Sequence, residues 1–266
     1  MPAVPRIRVI KTAVDTTSYE LACQKICAWL NGEQPRYVIA ANVHVVMTGY
    51  FDPHYQEILD RANLVTPDGM PLVLAMKLLG NPEQTRVAGV DLMWYWCKNF
   101  PQIPIFLYGT DSLTLEKLSN NLTKNFPELI IAGSYAPPLW RREMEPTYPH
   151  MQDDLALIKN SGARVIFVAL GCPKQELWMA QAVQVADFPV VFLGVGAAFP
   201  IHAGIVKRAP RWMQSLALEW LYRLCQEPHR LWPRYLLLNP LFVVLLCSQV
   251  LQWYCNKIYK LFCHGS

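Results

Sequence analysis

The chain has 266 residues and a net charge of +4, and is 53% hydrophobic, 12% aromatic and only 17% charged. That length suits one large α/β domain or a domain with an extension. The charged fraction is well below the rough quarter usual for soluble domains, giving an unusually apolar chain that is still not a polytopic membrane protein. The positive excess is confined to residues 203–266, which hold eight lysines and arginines against two glutamates, a net +6 that leaves the preceding 202 residues at −2. Basic tails of this kind meet nucleic acid, anionic lipid or a phosphorylated ligand.

The N-terminal segment MPAVPRIRVIKTAVD lacks a continuous apolar core, so no signal peptide is expected. The first strand candidate is Tyr37–Ala40, which ends in Ala41-Asn42-Val43-His44. His44 on that strand end is expected to be a loop residue, not a ligand. Asp68 is the one charge between Arg61 and Lys77, in a Thr66-Pro67-Asp68-Gly69 turn. An ionised carboxylate is costly to bury without partners, so Asp68 is a helix cap, a working group, or both. Arg86 precedes Val87-Ala88-Gly89-Val90-Asp91, where Asp91 is placed as the cap of the helix LMWYWCKNF.

Residues 103–109 (IPIFLYG) form a buried strand, followed by Thr110-Asp111-Ser112 and the helix LTLEKLSNNLTKNF. A strand at 129–136, a helix at 151–161, a strand at 163–171, a helix from Lys174 to Val185 and a strand at 188–196 follow. Uniformly apolar strands alternating with helices indicate a parallel sheet covered on both faces, a Rossmann-like α/β fold. Ligands of such sheets bind beyond the carboxyl ends of the strands, here marked by Asn42, Gly109, Gly171 and Gly194–Gly196.

The Gly171-Cys172-Pro173-Lys174-Gln175-Glu176 loop opens a helix and is a candidate anion site, or an ordinary βα turn. Gly194-Val195-Gly196 begins like a dinucleotide fingerprint but lacks the third glycine, and Pro200 is expected to oppose an immediate regular helix. Lys207-Arg208-Ala209-Pro210-Arg211 is a solvated basic turn or a phosphate clamp. Arg223, Arg230 and Arg234 recur at intervals of seven and four, interrupted by Pro228. The uncharged stretch 235–256 has nearly the length of a membrane-spanning helix, but Asn239-Pro240, Ser248, Gln249 and Gln252 interrupt it. A helix lying in the membrane interface, a hydrophobic hairpin packed on the domain, and a span all remain open.

The eight cysteines form no C-x-x-C pair and have no histidine at zinc-site spacing, so reduced packing thiols are expected. The chain also lacks a D-x-D pair, a G-x-x-x-x-G-K-[ST] phosphate loop, a G-x-S-x-G elbow and an H-E-x-x-H motif.

Taken together, Asn42, TPDG (66–69), RVAGVDL (86–92), FLYGT (106–110), VALGCPKQE (168–176), LGVGAAF (193–199), KRAPRWMQ (207–214) and LEWLYRLCQEPHRLWPRY (218–235) resemble the WecG/TagA/CpsF family of bacterial glycosyltransferases. The resemblance implies an α/β catalytic domain over 1–207 and a helical basic and apolar appendage over 208–266. It implies inverting, metal-independent transfer of an N-acetylmannosamine-like or related sugar from UDP to an undecaprenyl diphosphate-type acceptor, in cell-surface polysaccharide or wall-polymer synthesis. It further implies work at the inner face of the cell membrane with no cofactor and no nucleic acid partner; a homo-oligomer is left open. Asp68 then corresponds to the catalytic base and Asn42 to a pocket residue beside it. Arg86 and Gln175 correspond to polar groups of the substrate pocket, and Gly109, Gly171, Lys174, Gly194 and Gly196 to the nucleotide side. Arg223 and Arg230 correspond to appendage arginines facing the diphosphate. Pro200 and Cys172 depart from the family pattern, and Cys172 is expected to pack. The rival readings are a nicotinamide-dependent enzyme on the same sheet and a non-catalytic membrane adaptor.

Overall fold

The structure, a computed structural model, describes residues 5–140 and 147–263, with side chains for all of these except Arg230, Pro233, Arg234 and residues 260–263. In chain order the elements are β1 (Arg6–Val9), β2 (Thr12–Asp15), α1 (Tyr19–Leu30), β3 (Arg36–Ala41), α2 (Val43–Phe51), α3 (Pro53–Arg61), β4 (Leu64–Pro67), α4 (Met70–Leu78) and α5 (Gly89–Asn99). They continue as β5 (Ile105–Gly109), α6 (Ser112–Asn125), β6 (Ile131–Tyr135), α7 (Met151–Asn160), β7 (Val165–Ala169), α8 (Lys174–Val185) and β8 (Val191–Gly194). The chain ends in α9 (Ala198–His202), α10 (Arg211–Ser215), α11 (Glu219–Gln226) and α12 (Pro228–Cys263).

Strands β3 to β8 form one sheet in the order β4-β3-β8-β7-β5-β6, with every neighbouring pair parallel. This is the expected Rossmann-like α/β fold. Successive strand residues face opposite sides of a sheet, and here both sides are apolar. Tyr37, Ile39 and Phe106 join the cluster around Tyr55 and Trp178, while Val38, Leu107 and Phe167 join the cluster around Ile26 and Trp96. Helices α1, α3 and α6 start where polar side chains satisfy free backbone N–H groups. Ser18 accepts from Leu21 N, Asp52 from Tyr55 N ahead of Pro53, and Asp111 from Thr114 N.

The last strand, β8, lies between β3 and β7, so the carboxyl ends of strands from both halves of the chain meet along one edge. The register brings Ala41 beside Pro67, Val168 beside Gly194 and Gly109 beside Ala169. Gly109 allows the close approach: its φ is +121°, and a Cβ there would lie 2.6 Å from the Ala169 carbonyl oxygen.

Several elements depart from the sequence expectation or carry no signal in it. The β1–β2 hairpin turns with Ile10 at φ 58°, a conformation unusual for a β-branched residue and without the usual Gly or Asn signal. Helix α9 forms in spite of Pro200, because Pro200 falls in its first turn, where the missing N–H has no intrahelical partner to lose. Asp91 is not the cap of α5; the cap is Ala88 and Asp91 lies in the first turn. Helix α12 runs without a break through Asn239-Pro240, so there is no hairpin.

One face of α12 packs on the core through Leu238, Leu241, Phe242, Leu245, Leu246, Val250 and Trp253, at helical spacing. Gln249, on the same face, accepts a hydrogen bond from Ile10 N at 2.8 Å and donates one to the Arg8 carbonyl at 2.7 Å. The helix thereby satisfies the backbone of the strained turn. Its other face exposes Leu236, Leu237, Val243, Val244, Leu251, Ile258 and Tyr259.

Gly109→Ala is expected to lower the stability of the fold by about 2 kcal/mol or more, since it combines a disfavoured φ with a backbone clash. Denaturant unfolding measures it; a variant as stable as the parent would contradict the account of the strand edge.

Candidate active site

Two adjoining cavities lie beyond the carboxyl ends of the strands. The larger, of about 310 Å³, is floored by Ala40, Ala169, Leu170 and Gly194 and roofed by Lys207, Arg208, Arg223, Gln226, Leu231 and Tyr235. The smaller, of about 100 Å³, lies between the start of α4 and the appendage, against Met70, Pro71, Gln214, Trp220 and Asn239. Asn42, Asp68, Arg223 and Tyr235 line both. The larger volume falls at the lower end of the range for small-molecule sites.

Asp68 sits one residue past β4, where its N–H donates to the Ala41 carbonyl at 2.8 Å. It does not cap α4: the cap position is Gly69, without a side-chain hydrogen bond. The chain leaves the strand one residue too early for the carboxylate to reach the helix start, so the side chain faces the cavities. Asn42 is the residue that caps, accepting from His44 N at 3.0 Å and Val45 N at 3.3 Å. His44 belongs to the first turn of α2 and lines the smaller cavity, so it is not a loop residue.

Arg86 reaches Asp68 twice. Its Nε donates to the Asp68 backbone carbonyl, and its Nη2 lies 3.6 Å from Asp68 Oδ1. The same Nη2 donates to Glu219 Oε2 of α11 at 2.7 Å, and Arg223 Nη2 donates to Glu219 Oε1 at 3.1 Å. A second fork ties the start of the basic segment to the core: Arg208 Nη1 and Nη2 donate to the Asp91 carboxylate at 2.5 and 2.6 Å.

Burial raises the Asp68 pKa above the ordinary carboxylate value; Arg86 opposes the rise and Glu219 adds to it. Glu219 goes the other way: burial pushes against ionisation, but Arg86 and Arg223 together hold its pKa below the ordinary value. The Asp91 pKa is likewise lowered, its burial outweighed by Arg208.

Of the residues marked in the sequence, Asn42, Asp68, Arg86, Gln175, Gly171, Gly194, Gly196 and Arg223 line one or both cavities. Gly109 is not itself in the lining; Thr110, next to it, is. Lys174 does not line either cavity. Its Nζ donates to the Trp140 carbonyl at 2.6 Å, which draws it toward the loop after β6. The side chain of Arg230 lies outside the described residues. Among the described residues no group of three or more His, Cys, Asp or Glu side chains is arranged to hold a metal ion. The described cysteines are free thiols, and Cys172 Sγ lies 3.3 Å from the Tyr55 hydroxyl in the wall of the larger cavity.

The description "Glycosyl transferase WecG/TagA/CpsF family" matches residues 7–256. This chain belongs to that family. This glycosyltransferase is 31% identical over 211 residues to an N-acetylglucosaminyldiphosphoundecaprenol N-acetyl-beta-D-mannosaminyltransferase of Bacillus spizizenii, covering 78% of this chain and 77% of the relative. It is also 31% identical over 205 residues to the protein of the same name from Bacillus subtilis, covering 75% and 74%. The Gly194–Gly196 loop of the glycosyltransferase accordingly has no need of a dinucleotide fingerprint.

The sequence did not single out Glu219, Gln214, Trp220 or Tyr235. Glu219 carried one signal, as one of only two acidic residues in a strongly basic tail. Its ionised state stabilises the docked α11 above the pKa of an unfolded glutamate, and that stabilisation fades as pH falls through its lowered folded value. Glu219→Gln is expected to cost about 1–3 kcal/mol of stability at neutral pH, with a smaller difference from the parent in acid. Urea unfolding at the two pH values measures this; an equal cost at both would contradict the ion-pair account.

Proposed function

We propose that the larger cavity takes a UDP-sugar and the smaller one the head of a lipid-linked acceptor, and that Asp68, in the wall common to both, is the catalytic base. The observation that carries this reading is the position of Asp68 between the two cavities. Following the names of the relatives, the donor is an N-acetylmannosamine-like or related sugar and the acceptor an undecaprenyl-diphosphate-linked N-acetylglucosamine. The product feeds cell-surface polysaccharide or wall-polymer synthesis.

In the reaction a hydroxyl of the acceptor attacks the anomeric carbon from the smaller cavity. Its proton passes to Asp68, the new glycosidic bond forms, and the bond to UDP breaks on the opposite side, which inverts the anomeric configuration. Arg86 holds the Asp68 backbone and lies near enough to its carboxylate to steady it. Burial that raises the Asp68 pKa makes it a stronger base than an exposed aspartate. The departing UDP gains negative charge, and among the described residues Lys207, Arg208 and Arg223 are the cationic groups of the larger cavity's wall. In this metal-independent scheme these cations and backbone donors carry the stabilisation. Residues 208–266 thus act as an appendage that completes the site.

The exposed apolar face of α12 supports association with the cytoplasmic face of the membrane, where a polyprenyl-linked acceptor resides. The segment Tyr235–Tyr259 is long and apolar enough to cross a membrane by length and composition. Its opposite face, however, is packed against the core and tied there by Gln249, which favours a helix lying in the interface.

Asp68→Asn is expected to lower turnover of UDP-N-acetylmannosamine by about 10²–10⁴ while leaving UDP binding and thermal stability intact. In the parent enzyme kcat/KM should fall in acid with an apparent pKa above that of a free aspartate, because the base must be ionised. Near-parental turnover by Asp68→Asn would remove Asp68 from the chemistry. Separately, a Val244→Glu/Leu251→Glu variant should sediment less with anionic lipid vesicles at unchanged melting temperature; unchanged sedimentation would exclude this face from lipid contact.

A further inference from the structure

Arg86 offers one guanidinium to two carboxylates. Its Nε donates to the Asp68 backbone carbonyl, which pins the group beside the Asp68 side chain. Its Nη2 donates to Glu219 Oε2 at 2.7 Å, a charge-assisted hydrogen bond. The same Nη2 stays 3.6 Å from Asp68 Oδ1, beyond hydrogen-bond range. Glu219 is held in turn by Arg223 Nη2 at 3.1 Å. The carboxylate of the appendage has therefore taken the donor that the carboxylate of the core would otherwise accept.

A carboxylate bonded by a guanidinium is a weaker proton acceptor than one left open. With Nε already in place, a small rotation of the Arg86 group would close the 3.6 Å gap once Glu219 no longer held Nη2. The charges point the same way. Burial raises the Asp68 pKa, Arg86 lowers it and Glu219 raises it, while Arg223 and Arg208 lower it from further down the order. Glu219 keeps its own charge because Arg86 and Arg223 outweigh its burial. The other titratable groups around Asp68 are Tyr19 of α1, His44 and Tyr235 on the smaller cavity's wall, and Cys172, Lys207 and Glu227 on the larger one's.

We infer that Glu219 is a positioning residue that draws Arg86 Nη2 off the Asp68 carboxylate, so that docking of α11 both completes the site and leaves that carboxylate open to the acceptor hydroxyl. The inference rests on the reading of Asp68 as the catalytic base. It gives the appendage a second role besides bringing cations to the leaving group: when α11 is away, Arg86 engages the base and the core is held inactive.

The test follows kcat/KM of the full-length protein for UDP-N-acetylmannosamine against pH, with saturating short-chain prenyl diphosphate N-acetylglucosamine. In Glu219→Gln the acid limb should move to lower pH by about one unit, because Asp68 loses a negative neighbour and gains the Arg86 bond. The weaker base should also turn over about threefold more slowly at neutral pH. Glu219→Met, which fills the space without charge, gives the same measurement should Glu219→Gln fail to fold. Removing Arg86 as well, in Arg86→Gln/Glu219→Gln, should return the limb to the parent position or above it. Gln214→Ala, which removes a neutral acceptor 3.5 Å from Arg86 Nη1, should leave the limb in place. His44→Gln and Glu227→Gln should leave it in place too, which assigns the limb to Asp68.

A loss of activity equal at every pH in both Glu219 variants would make Glu219 a structural tie only and overturn the inference. A limb that stays low in the double variant would overturn it, since Glu219 would then not act through Arg86. A shift of the limb in Gln214→Ala, His44→Gln or Glu227→Gln as large as that in Glu219→Gln would do the same. These results are separable from the base reading itself: near-parental turnover by Asp68→Asn removes the base, whereas an inactive Asp68→Asn beside an unmoved limb in Glu219→Gln removes only the role of Glu219.

Discussion

The Arg86 guanidinium joins the two parts of the molecule at the point where they form a site. On one side it holds the Asp68 backbone and approaches the Asp68 carboxylate; on the other it is bound by Glu219 of α11. Three charged groups in partly buried surroundings would be unfavourable singly, and become tolerable as a chain of hydrogen-bonded pairs. Arg223 extends the chain by bonding Glu219, so the appendage is fixed by the groups that surround the cavities. Position and charge are therefore set together: the appendage that brings cations over the strand ends also shields Asp68 from water.

The sheet supplies the other half of the arrangement. Parallel strands end their carbonyl edges together, and the placement of β8 between β3 and β7 gathers Asn42, Asp68, Gly171 and Gly194 from distant parts of the chain. Small residues keep that edge open. Gly109 lets two strands close up where a side chain would collide with Ala169, and Gly194 and Gly196 leave space for the Gln175 amide. The glycines of this edge thus serve packing and room for the cavity.

The buried strands and their following helices were legible because each signal is local. Apolar runs of strand length between helical segments identify β3, β5, β7 and β8, and α8 begins and ends where its pattern does. What was not legible depends on contacts far apart in sequence. The turn at Ile10 has no glycine to announce it and relies on Gln249, 239 residues away. Lys174 was expected at an anion site from its place after a glycine loop, but the Trp140 carbonyl holds it. Asp68 was legible as an isolated charge, yet local pattern favoured a cap; only the position of Gly69 relative to β4 turns it toward the cavities. Glu219 carries no local mark of its role, which depends on α11 folding back onto Arg86. For α12, composition alone left three dispositions open, and the continuous helix with one packed face settles its place on the domain, not its relation to lipid.

The central claim is that donor and acceptor occupy separate cavities on either side of Asp68. Calorimetric titration of UDP into the protein, with and without saturating short-chain prenyl diphosphate N-acetylglucosamine, tests it most directly. The account predicts that UDP binds in both conditions with a similar affinity, as two ligands sharing a wall but not a volume. Mutual exclusion, with the acceptor analogue displacing UDP competitively, would contradict it.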